Sequence, residues 1–145
     1  MNASDYFRKL ANSIPDLERS ILQDVIAVEA ERIHAENFRA EAFIDTPPQK
    51  WPDRKKTDRY NKARRALLVK TGTLKGHALK GRVRGDAVEF VFPLEYERVH
   101  NEGLRAGRGA GFQMPKRQFV GESQVLTDRI EKKAKSLIDN HLKRL

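Results

Sequence analysis

Ile14, Leu17, Ile21, Val25 and Val28 stand three and four residues apart, and that spacing limits the fold more than any other feature. Apolar residues at this interval line one face of an α-helix; a strand, whose side chains alternate, would scatter them. Ser13-Ile14-Pro15-Asp16 reads as the helix start. Ser13 caps, Pro15 sits in the first turn where its missing N–H costs nothing, and Asp16 meets the positive end of the dipole. The pattern weakens through Ile33 and runs out near Phe38 or Phe43, before Thr46-Pro47-Pro48. Such a helix is roughly 40 Å long at 1.5 Å per residue. Ahead of it, Ser4 to Ala11 is expected to form a short helical lead-in anchored by Tyr6, Phe7 and Leu10. A second stripe, Leu126, Ile130, Leu137, Ile138 and Leu142, predicts a C-terminal helix capped by Ser123, its acidic residues leading and its lysines trailing.

Between the helices, Leu79 to Phe92 carries the best strand pattern. Val83 stands between Arg82 and Arg84, Gly85-Asp86 marks a tight turn, and Val88, Phe90 and Phe92 place apolar side chains on one face before Pro93. The same alternation points Val88, Phe90 and Phe92 at the stripes of the two helices. Tyr60 to Lys70 is expected to be helical with Ala63, Ala66 and Leu67 inward, Leu74 to Leu79 a short turn or helix, Tyr96 to Asn101 a short helix, and Gln118 to Val120 a short strand. The expected fold class is α+β: a small antiparallel β-sheet packed against a long N-terminal helix and a C-terminal helix. At 145 residues the chain suits a single domain, 1–145. Two segments stand out from it: a basic loop or arm at about 46–62, and a glycine-rich flexible loop at about 103–113. Within the first, Trp51 is the sole large apolar residue of a polar stretch, which reads as an ordered loop pinned by Trp51 or as a partly mobile arm.

The charge is concentrated. Lys50 to Arg84 holds seven Lys and six Arg against Asp53 and Asp58, a net of +11, so the remainder of a chain of net +9 carries −2. A local positive field of this kind draws polyanions and speeds encounter with them. Lys and Arg interleaved with Trp51 and Tyr60 could supply phosphate contacts and stacking, which makes a basic nucleic-acid-binding module the alternative reading. No helix-turn-helix, zinc-finger or RNP-type pattern accompanies it.

Catalytic chemistry finds little support. Cysteine is absent, which removes thiolate nucleophiles, zinc-thiolate sites and disulfides. His34, His77, His100 and His141 show no H-x-x-x-H or H-E-x-x-H spacing, and no serine has a nucleophile-elbow context. The run from Gly103 to Phe112 lacks the G-K-[ST] ending of a phosphate loop, and reads as a mobile loop carrying Arg105 and Arg108. The chain is therefore expected not to be an enzyme and to need no cofactor or metal. No apolar run approaches the length of a membrane span, and the N-terminus has no signal-peptide pattern, so a cytoplasmic, membrane-free protein is expected.

Four pieces follow one another across the middle of the chain: W-P-D-R-K-K-T from Trp51 to Thr57, L-L-V-K-T-G-T-L from Leu67 to Leu74, Y-E-R-V-H-N-E-G from Tyr96 to Gly103, and M-P-K-R-Q-F-V-G from Met114 to Gly121. In this order and spacing they resemble the virion morphogenesis (tail completion) family of tailed bacteriophages. Members carry a tryptophan-then-threonine segment, a Thr-Gly-x-Leu step, a Tyr-x-x-x-His segment ending in Gly, and a Pro-x-Arg-x-Phe-x-Gly segment. The resemblance implies a structural phage or prophage protein of tail completion or head–tail joining, assembling as a ring in the virion neck or at the head-proximal end of the tail. It implies partners among the connector and tail proteins, non-specific proximity to DNA, and residence in the virion after assembly in the host cytoplasm. Carried over by motif, Trp51 anchors by packing, and Thr57 closes its segment. Thr71, Gly72 and Leu74 would set the turn into the sheet; Tyr96, His100 and Gly103 would pack the small helix; Pro115, Arg117, Phe119 and Gly121 would fix the last turn. Arg54, Lys55, Lys56, Arg105 and Arg108 form the candidate interaction surface. Glu97 and Gln118 depart from the pattern, where a small residue and a proline are common.

Overall fold

The computed structural model describes residues 1–54, 66–69 and 71–145. Lys55, Lys56 and Thr57, with most of the helix expected over 60–70, lie outside the described residues. The fold is α+β, with a long N-terminal helical rod, small antiparallel sheets and a C-terminal helix.

The rod begins earlier than expected and does not break. It comprises α1 (Ala3–Ser20), a π-helical turn (Ile21–Ile26) and α2 (Ala27–Ala40). Its cap is Asn2, whose side-chain oxygen accepts the N–H of Asp5 at 2.8 Å, rather than Ser13. Pro15 lies inside α1 instead of opening it. The missing proline N–H leaves one carbonyl without its usual donor, but this stretch is exposed, and the Ser13 hydroxyl donates to the Leu10 carbonyl at 2.8 Å. The rod ends where Glu41 adopts the left-handed conformation, φ 51°. At 1.5 Å per residue it is about 57 Å long.

The π-helical turn resets the buried face. A π turn adds one residue to the helical repeat, so every later residue is rotated by about one position. Leu22 and Val25 are buried, after which the inward positions become Ala30, Ile33, Asn37 and Phe38. Val28, expected in the stripe, faces out at 39% exposure, and Ile14 at 51%. α5 (Gln124–Lys143) runs antiparallel along the rod, capped as predicted by Ser123, whose hydroxyl oxygen accepts the N–H of Leu126 at 3.3 Å. Arg129 pairs with Glu36 at 2.7 Å, Lys133 with the buried Glu29, and the Nε2 of His141 donates to the Ser13 hydroxyl oxygen at 2.8 Å. Neither α1 nor α5 contains a fully buried residue, so this end of the molecule is a two-helix edge with a half-open apolar seam.

Among the described residues the strands form three separate antiparallel pairs rather than one small sheet. β1 (Ala42–Phe43) pairs with β2 (Gln49–Lys50), β3 (Arg82–Arg84) with β4 (Ala87–Glu89), and β5 (Arg105–Ala106) with β6 (Phe112–Gln113). The Gly85-Asp86 turn joins β3 and β4 with Val83 opposite Val88, as the alternation predicts. The ladder stops at Glu89. Phe90 and Phe92 continue unpaired, the first with its ring edge-on to His34 at 4.7 Å, the second against Phe119 at 5.5 Å. Gln118 to Val120, expected as a strand, has no partner strand and is held by side chains instead. The central core is Phe38, Trp51, Leu67, Leu74, Ala78 and Phe119.

Candidate functional site

The segment from Pro115 to Gly121 runs through the middle of the molecule without joining a sheet, so its backbone groups need other partners. They find them in residues far away in sequence. The amide oxygen of Asn101 accepts the N–H groups of Phe119 and Val120 at 2.9 and 3.1 Å. The Phe119 carbonyl accepts from Asn37 Nδ2 at 3.0 Å, and Asn37 Oδ1 in turn accepts the N–H of Ile44 at 2.9 Å. The Gln118 carbonyl accepts from the Trp51 indole at 2.8 Å, and the Gln118 side chain turns back to the Val120 carbonyl at 3.2 Å, against Gly121. The N–H of Arg117 donates to the His100 carbonyl at 2.9 Å. Phe119, 1% exposed, plugs the core beneath this strut.

Two segments are tied to the same strut. The buried guanidinium of Arg117 reaches the carbonyls of Pro52 and Asp53 at 2.9 and 3.3 Å, fixing the base of the basic arm. Burial is the main reason that this guanidinium is held below its usual pKa, with neighbouring Arg54 adding to the effect while Glu41 and Asp53 oppose it. One residue earlier, Lys116 packs directly on Gly103, where α4 (Glu95–Glu102) ends in a left-handed residue, φ 68°. A Cβ on Gly103 would lie 2.7 Å from that of Lys116, so the close approach needs glycine. From Gly103 the chain enters the β5–β6 hairpin, with Met114 N–H on the Leu104 carbonyl at 3.0 Å and the Arg105 guanidinium on the Ala110 carbonyl at 2.7 Å. The glycine-rich stretch is thus a short hairpin where a loop is expected. Phe112 stands 55% exposed on it, its ring against Gly107. On the arm side, Arg54 donates to the Ala66 carbonyl at 2.8 Å. Lys55 and Lys56 fall outside the described residues.

The remaining motif residues line a pocket. Thr71 and Gly72, the latter at φ 80°, turn the chain into α3 (Thr73–Ala78), and the Thr71 hydroxyl oxygen receives the N–H of Thr73 at 3.4 Å. Leu74 and Ala78 enter the core from α3. α4 brings Tyr96 and His100 over them, and Leu68, Thr71, Leu74, Tyr96 and His100 enclose a cavity of about 310 Å³. Burial, with the positive charge of Arg117 second, holds His100 below the ordinary imidazole pKa, and its Nδ1 has no hydrogen-bond partner among the described residues. Glu97 is fully buried; it pairs with Nδ1 of His77, and its other oxygen accepts the N–H of Leu94 at 3.2 Å, closing the first turn of α4.

Sequence reasoning did not find Asn37, Asn101, Glu41 or Glu97 as ties. Glu41 receives the N–H of Leu67 at 2.8 Å on its carboxylate and that of Trp51 at 2.8 Å on its carbonyl. An isolated polar residue carries no periodic signal, so these were legible only in three dimensions. The Ser13–His141 pair was also unexpected. The Ser13 proton is committed to the Leu10 carbonyl, which makes the imidazole the donor and leaves no activated nucleophile. No group of three or more His, Asp or Glu residues placed to hold a metal ion occurs among the described residues.

No curated protein and no solved structure matches the chain. A family model described as the phage virion morphogenesis family matches residues 2–143. That span takes in the strut, the segments tied to it and the helices around it, and the chain belongs to the phage virion morphogenesis family.

Proposed function

We propose that this chain is a structural, non-enzymatic protein of tail completion that joins head to tail, working as a ring of copies in the neck or at the head-proximal end of the tail. The observation that carries the reading is a common root for two segments. Arg117 and Lys116 are adjacent on one strut, where Arg117 ties down Pro52 and Asp53 at the start of the basic segment and Lys116 packs on Gly103 at the start of the glycine-rich hairpin. A centre that fixes the bases of two basic segments suits a part that bridges neighbouring rings. The motif residues described in the structure build this scaffold and line one small pocket. Connector and tail proteins are the partners, the particle is its destination, and the host cytoplasm is where it would be assembled.

The test is a deletion in the phage or prophage. Separate full heads and finished tails should accumulate, and a plasmid-borne copy should restore infectious particles. Normal virions from the deletion strain would end this reading. The second reading, a dedicated nucleic-acid binder, draws on the exposed Arg82 and Arg84 of β3 within the +11 segment; it requires tight binding to DNA by the isolated protein.

A further inference from the structure

α1 and α5 run antiparallel with Ser13 opposite His141, and the two sides of this helix pair differ. One side is a polar groove lined by Asp16, Ser20, Lys133 and Asn140. Helical spacing places Tyr6, Leu10 and Ile14 of α1 and Ala134, Ile138 and Leu142 of α5 on the other side, two rows at intervals of four. All six are half-buried or exposed, Ile14 at 51% and Leu142 at 38%, and Phe7 at 64% extends the first row. We infer that this face packs on the same face of a second copy of the chain, closing a four-helix bundle with α1 of each copy on α5 of the other. The inference goes beyond the ring reading, because a contact between identical faces closes at two copies, whereas a ring joins different ones.

Area, register and charge select a second copy. The face is two helices wide. Over residues 3–18 it is about 24 Å long and about 20 Å across, so pairing two copies covers on the order of 1,000 Å², where specific interfaces begin. A lone partner helix would lie along the seam and leave the outer edges, with Phe7 and Leu142, in water. A second copy covers both. A two-fold axis along the helix pair sets α1 against α5 of the other copy at the same level, and the Ser13–His141 contact fixes that level. Ile14 then falls between Ile138 and Leu142 of the second copy, so the exposed side chains of one helix meet those of the other. Charge closes the edge. Glu18 follows Ile14 by one turn at the outer edge of α1, and Lys135 precedes Leu142 by two turns at the outer edge of α5. Glu18 is level with Ser136, which sets it beside Lys135 of the second copy, and the two-fold axis makes this pair twice. Both side chains are exposed, and neither has a partner among the described residues.

Sedimentation equilibrium of the intact chain at submillimolar concentration should give the mass of a dimer, and a monomer would overturn the inference. Glu18→Lys sets two lysines together at both edges and should raise the dissociation constant at least tenfold. Glu18→Lys/Lys135→Glu should bring it back, and a double variant as weak as the single one would rule out this pairing of faces. The sequence has no cysteine, so thiols report the contact directly. Glu18→Cys and Lys135→Cys, purified separately, mixed and oxidised, should give a mixed disulfide in at least tenfold excess over Asp16→Cys mixed with Lys135→Cys, since Asp16 lies on the polar side. Equal yields from the two mixtures would place any dimer on another face and end the inference. The substituted positions are exposed, and circular dichroism of each variant separates a lost contact from a lost fold. A monomer would leave the ring reading standing, whereas normal virions from the deletion strain would sink the ring reading and leave this contact as it is.

Discussion

The indole Nε1 of Trp51 donates to the carbonyl of Gln118 across 2.8 Å, although 67 residues separate them. This bond joins the root of the basic arm to the strut, and it closes over a core in which the Trp51 ring meets Phe38 edge-on at 5.5 Å. Trp51→Phe keeps most of the packing and removes the donor, leaving a carbonyl unserved; it should cost about 1–3 kcal/mol. Trp51→Ala removes both and should cost about 3–5 kcal/mol. Chemical denaturation followed by circular dichroism measures both. Equal losses would mean that the packing of the ring contributes nothing beyond the hydrogen bond, and an unchanged Trp51→Phe would mean that the bond itself contributes nothing.

Gly72 and Gly103 share a left-handed backbone but differ in surroundings. Nothing lies within 4 Å of a Cβ built on Gly72, whereas one on Gly103 meets Lys116 at 2.7 Å from its Cβ and 3.0 Å from its backbone. Gly72→Ala should therefore cost only the conformational term, about 1 kcal/mol. Gly103→Ala must also push the strut away and should cost at least about 2 kcal/mol more, of the order seen for overpacked sites. Thermal melts of the two variants side by side check this. A Gly103→Ala protein as stable as Gly72→Ala would show that the strut gives way freely at Lys116.

Two histidines tie stability to pH. Burial lowers the pKa of His34 from its ordinary 6.5, opposed by its hydrogen bond to the Ala78 carbonyl and by Glu31; burial and then Arg117 lower that of His100. With both folded pKa values depressed, the unfolded chain takes up protons first as pH falls, so stability is full above pH 6.5 and declines below it. The melting temperature should fall between pH 6.5 and about 5.5, above the range where carboxylates titrate. The double variant His34→Gln/His100→Gln should flatten that slope. A slope unchanged in the double variant would assign the effect to other groups.

The outline of the fold was readable in residue patterns, and the departures have physical causes. The α+β class, the Val83–Val88 hairpin and the Ser123 cap each follow from local rules of periodicity, turn chemistry and capping. The phase of the first helix was readable only in part: Val25 and Ile33 are buried as the stripe expects, while Ile14 and Val28 face out. A π-helical turn leaves no compositional mark, so the turn of Val28 away from the core could not be read from a uniform 3.6 repeat. The β5–β6 hairpin was hidden for a different reason: strands of two residues are too short to alternate, and four nearby glycines look like a loop. The candidate site was legible as a set of motifs but not as a machine. That Arg117 holds the arm, and that Thr71, Leu74, Tyr96 and His100 share one pocket, depends on pairings across long stretches of chain. The strut's partners Asn37 and Asn101 match no periodic template.

Reversing the basic arm separates assembly protein from nucleic-acid binder. Lys50 to Arg84 carries +11, and contact with DNA through it would release counterions, so affinity would fall steeply as salt rises. If the arm instead serves a protein ring, the isolated chain should bind DNA weakly and without sequence preference even at low salt. Arg54→Glu/Lys55→Glu/Lys56→Glu changes the charge by −6 and removes the bond from Arg54 to the Ala66 carbonyl. That bond is exposed, so the folded core should lose no more than about 0.5–1 kcal/mol. The triple variant should melt near the wild type yet fail to restore infectious particles to the deletion strain. The measurements are a DNA titration at two salt concentrations and a complementation assay on the same preparation. Tight, sequence-specific DNA binding at physiological salt would replace the assembly reading with the nucleic-acid one, and full complementation by the triple variant would take the arm out of the joining step and leave the hairpin as the projection that makes it.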